Sequence, residues 1–204
     1  AHGARIRMIT AVVGLLFLSA VAEAEVSLDP SFGVNGITRT AFGSGNSDEP
    51  RDLLIQPDGK ILTAGKSKAY SGEYFVAITR HSADGVLDST GFGIDGKVYA
   101  HWVMRDQAND IDLMDDGKIV AAGMQATSNS SWAQIESVYR FNADGTVDST
   151  FADSGCVAIR PMIGSSEHGG VKALPDGRIL AGGRQSLSSS GLNVRRYLSD
   201  GALD

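Results

Sequence analysis

Two aspartates could do chemistry, because Asp52 and Asp110 occupy the same place in a recurring pattern, six residues before an Asp-Gly pair. Each would stand at the head of an inner strand. Two carboxylates near an axis could bind a cation or act as an acid/base pair. Gly170 fills this place in the third copy. Hydrogen bonding at the entry of a strand accounts for the same residues without chemistry, and it is the interpretation that we favour.

A second candidate is the segment from Asn142 to Asp148, which has the carboxylate spacing of part of a calcium-binding loop. A complete loop needs a ligand two residues earlier, where Arg140 stands, and a bidentate Glu at its end. Aspartate side chains also stabilise tight turns unaided. We therefore interpret Asp144 as a turn residue.

The single cysteine, Cys156, cannot form an internal disulfide. Its repeat equivalents are Ile37 and Lys97, and no histidine lies nearby, so we predict that it packs a strand rather than reacts. Three histidines fall at unmatched repeat positions and do not suggest a metal cluster: His81, His101 and His168. The sequence thus assigns no catalytic, cofactor-binding or metal-binding residue.

These residues belong to two phrases that each occur three times. The first phrase reads LLIQPDGKILTAG, IDLMDDGKIVAAG and VKALPDGRILAGG, with its aspartates at Asp58, Asp116 and Asp176. The second phrase contains a further Asp-Gly pair, with aspartates at Asp84, Asp144 and Asp200. A period of about 60 residues indicates stacked supersecondary modules that bury their apolar faces against each other.

Each module reads as four short strands. An Asp-Gly pair between apolar or alternating runs predicts a β-hairpin with a type I′ turn. Small residues that close the second strands, such as Ala64-Gly65, would let backbones approach closely. The third strands are predicted at 74–81, 137–142 and 192–197, and the fourth at 96–99 and 155–158. We therefore predict an all-β fold of antiparallel four-stranded β-propeller blades, with repeats over 28–86, 87–146 and 147–204.

The number of repeats bears on closure of the ring. Three blades are fewer than the four to eight of typical propellers, so we predict a fragment of a larger ring. The segment from Leu28 to Gly33 matches the start of a fourth strand, and such an offset would let it complete the last blade.

The phrases resemble a known family. Asp58-Gly59-Lys60-Ile61, the run from Arg80 to Gly85, and Leu87-Asp88 resemble the delta-60 repeat of the DUF5122 type, a β-propeller repeat of secreted bacterial proteins. The similarity covers nearly everything from Leu28 onward. An extra Gly91 and Ala152 in place of glycine depart from the family pattern. The resemblance implies a propeller and no catalytic residues. The NHL-type propeller repeat is more weakly similar.

Composition and the first residues suggest a compartment. Residues 1–24 carry Arg5 and Arg7, then an apolar run over 9–20 and Ala-Glu-Ala, which predicts a secretory signal cut after Ala24. The apolar run is short for a membrane span. The net charge of −6 with no basic block gives no support for nucleic-acid binding. We expect a secreted or cell-surface protein.

Three arginines stand four residues before the second Asp-Gly pair and are interpreted as structural: Arg80, Arg140 and Arg196.

Both hairpins of a blade turn on one face, so the variable connections share the other. These connections carry Tyr70, Trp132, His101, Trp102 and Arg105. Binding usually resides on such loops, so we expect a non-enzymatic scaffold for a protein or glycan there. One alternative is a secreted enzyme that acts on polysaccharide through Asp52 and Asp110, and another is a purely architectural repeat within a larger surface protein.

Overall fold

A computed structural model of the chain describes residues 27–43, 47–126, 134–159, 165–186 and 190–204. The predicted signal segment and Trp132 lie outside these residues. The described residues contain strands β1 (Asp48–Ile55), β2 (Ile61–Lys68), β3 (Tyr74–His81), β4 (Lys97–Ala100), β5 (Arg105–Leu113), β6 (Ile119–Ala126), β7 (Gln134–Phe141), β8 (Cys156–Ile159), β9 (Ser165–Ala173), β10 (Ile179–Ser186) and β11 (Ser190–Tyr197). No described segment forms a helix long and apolar enough to cross a membrane.

The strands form three blades. Strands β1 to β4 pair antiparallel in order, and so do β5 to β8, while β9, β10 and β11 make a three-stranded sheet. One parallel pairing, between Tyr74 and Arg105, joins the first two sheets. The predicted propeller architecture is confirmed, and the predicted third strand at 74–81 has the bounds of β3. The fourth strands begin one residue later than predicted.

The Asp-Gly turns differ from the prediction in type. Gly59, Gly117 and Gly177 have φ of 84°, 84° and 83°, but the aspartates before them do not have positive φ. The N–H of Gly59 donates to Gln56 O at 2.9 Å, and the N–H of Gln56 donates to Lys60 O at 2.8 Å. This is a type I turn followed by a left-handed glycine, the three-residue hairpin loop, rather than type I′. The predicted hairpins are right, and the turn type is wrong.

The core lies between blades. Leu62, Ile78 and Val98 of the first blade pack with Ile111 and other residues of the second, and a second cluster joins the second and third blades. The second strands approach the first strands closely at glycine, as predicted. A Cβ on Gly123 would lie 2.0 Å from the carbonyl oxygen of Gln107, and Gly65 and Gly183 are as tightly placed.

The blades form an open arc over the described residues. Leu53 on β1 is 62% exposed although its equivalent Ile111 is 4% exposed, and Val194 on β11 is 74% exposed although its equivalent Val138 is fully buried. Both outer faces of the arc therefore expose apolar residues that are buried at equivalent positions between blades, as expected for part of a propeller. The segment at 27–43 does not complete the third blade. It lies on the first blade, where the N–H of Gly33 donates to Asp84 O at 2.8 Å.

The hairpin turns generate a stability prediction. Gly117→Ala should lower the free energy of unfolding by about 1–2 kcal/mol, because a Cβ disfavours the left-handed conformation that this turn requires. The added methyl would meet only the Ala143 side chain, at 3.5 Å, so the backbone conformation sets the cost. Urea unfolding measures it. Gly191→Ala is the control, because its φ is not positive and its Cβ would meet nothing within 4 Å. Equal stability of the two variants would contradict the assigned turn.

Candidate functional site

The repeated arginines hold one blade to the next. Arg140 Nε donates to Asp148 Oδ2 at 2.8 Å, and its Nη1 donates to Ser199 O in the following blade. Arg80 repeats the arrangement with Asp88 at 2.9 Å and Ala143 O at 2.8 Å. Both guanidinium groups are buried. The predicted structural role of these arginines is therefore supported, with partners that the sequence did not identify.

A phenylalanine completes this joint. The guanidinium of Arg140 lies over the Phe151 ring at 4.4 Å from its centroid. A Cβ on Gly201, in the next blade's turn, would lie 3.1 Å from that ring. The glycine of the second Asp-Gly pair thus has two functions, because it adopts positive φ and it makes room for the phenylalanine of the preceding module.

The two inner aspartates meet, but as part of the frame. The N–H of Ile111 donates to Asp52 Oδ2 at 3.1 Å, and the N–H of Val171 donates to Asp110 Oδ2 at 2.5 Å. Each carboxyl therefore binds the backbone of the next blade's inner strand. Burial and hydrogen bonding to the adjacent Asp52 carboxyl raise the pKa of Asp110 to about 6. The arrangement agrees with the favoured hydrogen-bonding interpretation, which now extends from one blade to the next.

The other residues singled out from the sequence also have structural partners. Asp144 Oδ1 accepts from the N–H of Thr146 at 2.9 Å, so Asp144 stabilises its own turn. Cys156 is buried, accepts a hydrogen bond from Gln125 and has its pKa raised well above the usual range by burial. The three histidines lie apart, and no group of three or more His, Cys, Asp or Glu side chains within the described ranges is placed to hold a metal.

One loop residue that was expected to face a ligand, Trp102, is fixed in the frame. The Trp102 indole lies 5.0 Å from the Tyr139 ring, and its Nε1 donates to Ser154 O at 3.1 Å. The backbone N–H of Trp102 donates to buried Asp106 at 2.8 Å. Burial raises the pKa of Asp106 to about 6. This connection is therefore a rigid part of the scaffold. Tyr70, in contrast, is 81% exposed in its turn.

A polar cavity of about 470 Å³ opens on the face opposite the Asp-Gly hairpins, which we call the loop face. Inner strands β1, β5 and β9 supply most of its wall, and β2, β6 and β7 supply the rest. We call this cavity the axial pocket. It is lined by Arg51, Lys66, Arg105, Gln107, Asn109, Met124, Gln134 and Glu167. Of these residues, sequence analysis had singled out only Arg105.

The axial pocket is built from equivalent positions that carry different residues. Strand pairing aligns Lys66 with Met124, and Gln107 with Glu167. Arg51 and Asn109 are equivalent too, and each is the extra residue of a β-bulge in its inner strand. Bulges re-aim side chains and are frequent beside functional sites. The signal available in the sequence was therefore variation within an otherwise matched register.

A buried polar cluster joins the second and third blades. Asn193 Nδ2 donates to Glu136 Oε1 at 2.6 Å, and Arg195 contacts the same carboxylate. His168 Nε2 and the Tyr197 hydroxyl are hydrogen bonded at 3.1 Å, and burial lowers the His168 pKa to about 4. The ring is thus neutral at pH 7. The corresponding positions at the interface between the first and second blades hold apolar or uncharged residues. The cluster therefore distinguishes one blade interface from the other.

A second cavity, of about 160 Å³, lies between the segment at 38–42 and the first blade. Its floor includes Thr63, Ala77 and Thr79. Their equivalents in the second blade, Ala121, Ser137 and Tyr139, are buried against a neighbouring blade. This cavity therefore belongs to the open face of the arc.

The fold and the repeated joints define a β-propeller repeat domain. Comparison with family models gives a match to the domain of unknown function DUF5122 beta-propeller over residues 56–90, 115–151 and 174–204. The chain belongs to this family. Each matched segment runs from the first hairpin turn into or through the pair Leu87-Asp88, Val147-Asp148 or Leu203-Asp204, which we call the Leu-Asp phrase. This is the region that contains the arginine joint. No curated protein matches the chain with significant similarity.

The joint predicts a contrast between two equivalent arginines. Arg140→Met should lower the free energy of unfolding by about 3 kcal/mol, because it leaves the buried Asp148 carboxylate without its cation. Arg196→Met is the matched control and should cost under about 1 kcal/mol, because the Arg196 pair with Asp204 is solvent exposed. Chemical denaturation of both variants measures the difference. Equal losses would mean that Arg140 does not couple the blades.

The aspartate pair predicts a pH effect. The folded pKa of Asp110 lies above its ordinary value, so its contribution to stability is present at low pH and is lost as pH rises through about 6. Asp110→Asn keeps an acceptor for Val171 and a donor for Asp52. It should leave the free energy of unfolding nearly unchanged at pH 4 and raise it by about 1 kcal/mol at pH 7.5.

Urea unfolding at the two pH values tests this expectation against Asp115→Asn, which changes an exposed carboxylate of a hairpin turn. The difference between the Asp110 variant and the parent chain should grow with pH, and the control difference should not. A constant difference for Asp110→Asn would show that its carboxyl holds no proton near pH 5.

Proposed function

We propose that this chain is a secreted or cell-surface interaction scaffold that binds its ligand, a protein or a glycan, on the loop face without catalysis. The observation that carries the proposal is the axial pocket, which lies where three inner strands converge and has a volume suited to a small ligand or the tip of a larger one. The pattern of residues 1–24 supports export across a membrane.

The division of the repeats into matched and varied positions supports binding rather than architecture alone. The hairpin turns and the arginine joint recur from blade to blade. Positions that line the axial pocket carry Arg, Asn, Lys, Met, Gln and Glu instead. A rigid frame that presents different side chains at one opening is a common arrangement of a binding site.

The alternative of an enzyme that acts on polysaccharide through Asp52 and Asp110 has less support. Glycoside hydrolysis uses two carboxyl groups about 5–9.5 Å apart, so that a sugar or a water fits between them. Here the two groups contact each other, and each accepts a backbone hydrogen bond. The hydrogen bonds that Asp52 and Asp110 accept from the next blade explain why carboxyl groups stand at these positions.

Selective masking of the loop face tests the proposal. Because Cys156 is buried, a cysteine introduced by Ser71→Cys, in the turn after β2, can be labelled with a bulky polymer. We expect this label to abolish binding of the unlabelled protein's partners, found by screening arrays of glycans and envelope proteins. A label at Asp115→Cys, on the hairpin face, should leave binding unchanged. Loss of binding only from the hairpin face, or no binding by the intact protein, would contradict the proposal.

A further inference from the structure

The axial pocket reverses the charge balance of the chain. The whole sequence has 18 basic and 24 acidic residues. The pocket wall holds three cations, Arg51, Lys66 and Arg105, but a single carboxylate, Glu167. Glu49 adds a second carboxylate beside the pocket wall, where it lies 3.2 Å from Lys66 Nζ and 3.0 Å from Arg51 Nη2. The opening therefore keeps a local excess of positive charge on an acidic protein, which attracts anions.

One aromatic ring lies beside two of these cations, Lys66 and Arg105, and beside Lys68. Arg105 and Lys66 each lie 5.0 Å from the centroid of the Tyr74 ring, and Lys68 lies 5.5 Å from it. Cation–π contacts hold such groups in place, but they do not remove their mutual repulsion. An anion bound among them would offset that repulsion, and the planar guanidinium groups suit a carboxylate in particular.

The backbone aims two side chains at this opening. Arg51 is the bulged residue of β1, and Asn109 is the bulged residue of β5. Asn109 is itself held, because its Nδ2 donates to His168 O at 2.7 Å and its Oδ1 accepts from Gln107. The amides beside the cations are thus fixed rather than free to rotate, so they present donors and acceptors in set directions.

The neutral part of the wall narrows the ligand class. Gln107, Asn109 and Gln134 supply amide groups, which can both donate to and accept from hydroxyl groups. A ligand that combines one negative charge with several hydroxyl groups uses both parts of the wall. A simple inorganic anion would leave the acceptors of the wall, the amide oxygens and the Glu167 carboxylate, without a donor, and a neutral sugar would leave the positive charge of the cations without a counterion.

We propose that the axial pocket binds an acidic saccharide, with the carboxylate of a uronic acid between Arg51 and Arg105 and its hydroxyl groups on the Gln107 and Asn109 amides. This inference rests on the proposed function and identifies the ligand of that same loop-face site. Lys66 lies among the same cations and adds to the field at the carboxylate.

Isothermal titration calorimetry of the whole chain tests the inference with three probes: digalacturonic acid, a neutral galactose disaccharide and inorganic phosphate. We expect digalacturonic acid to bind more tightly than the other two, with an affinity that falls as NaCl is raised. Arg51→Gln and Arg105→Gln should each weaken that binding by about tenfold. Lys118→Gln, on the hairpin face, removes a cation at a distance and should leave the affinity unchanged.

Thermal unfolding of each variant shows whether it is folded. Arg51 makes a partly exposed ion pair, so Arg51→Gln should fold normally even if Arg105→Gln does not. Equal binding of the neutral disaccharide or of phosphate would overturn the inference, and so would digalacturonic acid binding that Arg51→Gln leaves intact, or no binding of any probe. The proposed function would survive each of these results if labelling at Ser71→Cys still blocked a ligand found on the arrays, and it would fail with the inference if that label had no effect.

Discussion

A buried guanidinium at the end of the third strand is the constraint on which the arc of blades depends. A four-stranded sheet cannot bury both faces alone, so each blade must be held against the next at a fixed angle. Arg80 and Arg140 do this by binding the aspartate of their own Leu-Asp phrase and a carbonyl oxygen in the next blade's turn. Burial acts to raise the pKa of Asp148, but hydrogen bonds from Thr150 and the charge of Arg140 outweigh burial and lower this pKa. The Asp148 carboxyl therefore stays ionised in the joint.

This joint explains why the residues that recur most closely from module to module are structural residues rather than residues of the axial pocket. Hairpin turn, arginine, Leu-Asp phrase and phenylalanine all lie at the hairpin end of the blades. The arginine and the phenylalanine contact the next module, and the aspartate holds the arginine in place. Toward the opposite end the blades are also joined, by the cluster of Glu136, Asn193 and Arg195, but the residues differ between modules. Lys66 and Met124 share one structural position, as do Gln107 and Glu167, without disturbing the sheets.

The sequence was sufficient for features set by local conformation. Asp-Gly pairs indicated the hairpins, and glycines indicated where the first and second strands approach closely. Both features depend on the backbone conformation and on the absence of a side chain at those residues. It was insufficient where a donor meets a distant acceptor. Nothing in the chain near Arg140 indicates that Ser199 O is its partner, since any carbonyl group can accept. The axial pocket was missed for a related reason, because its residues come from six strands and no two of its cations are repeat equivalents. The prediction of the turn type was wrong because an Asp-Gly pair suits both the type I′ turn and the three-residue loop. The length of the paired strands decides between the two turns.

The β-bulges connect the frame to the pocket. After the bulge, β1 and β5 direct aspartates toward the next blade, where Asp52, Asp110 and Asp112 accept from backbone N–H groups. Before the bulge, the extra residue shifts the alternation of side chains, so Gln107 comes to the opening although it lies an odd number of residues from Asp110. One inserted residue per strand therefore lets the same strand close the interblade contact at one end and line a cavity at the other. Asp52 and Asp110 therefore belong to the frame, whereas Gln107 and Asn109 line the axial pocket.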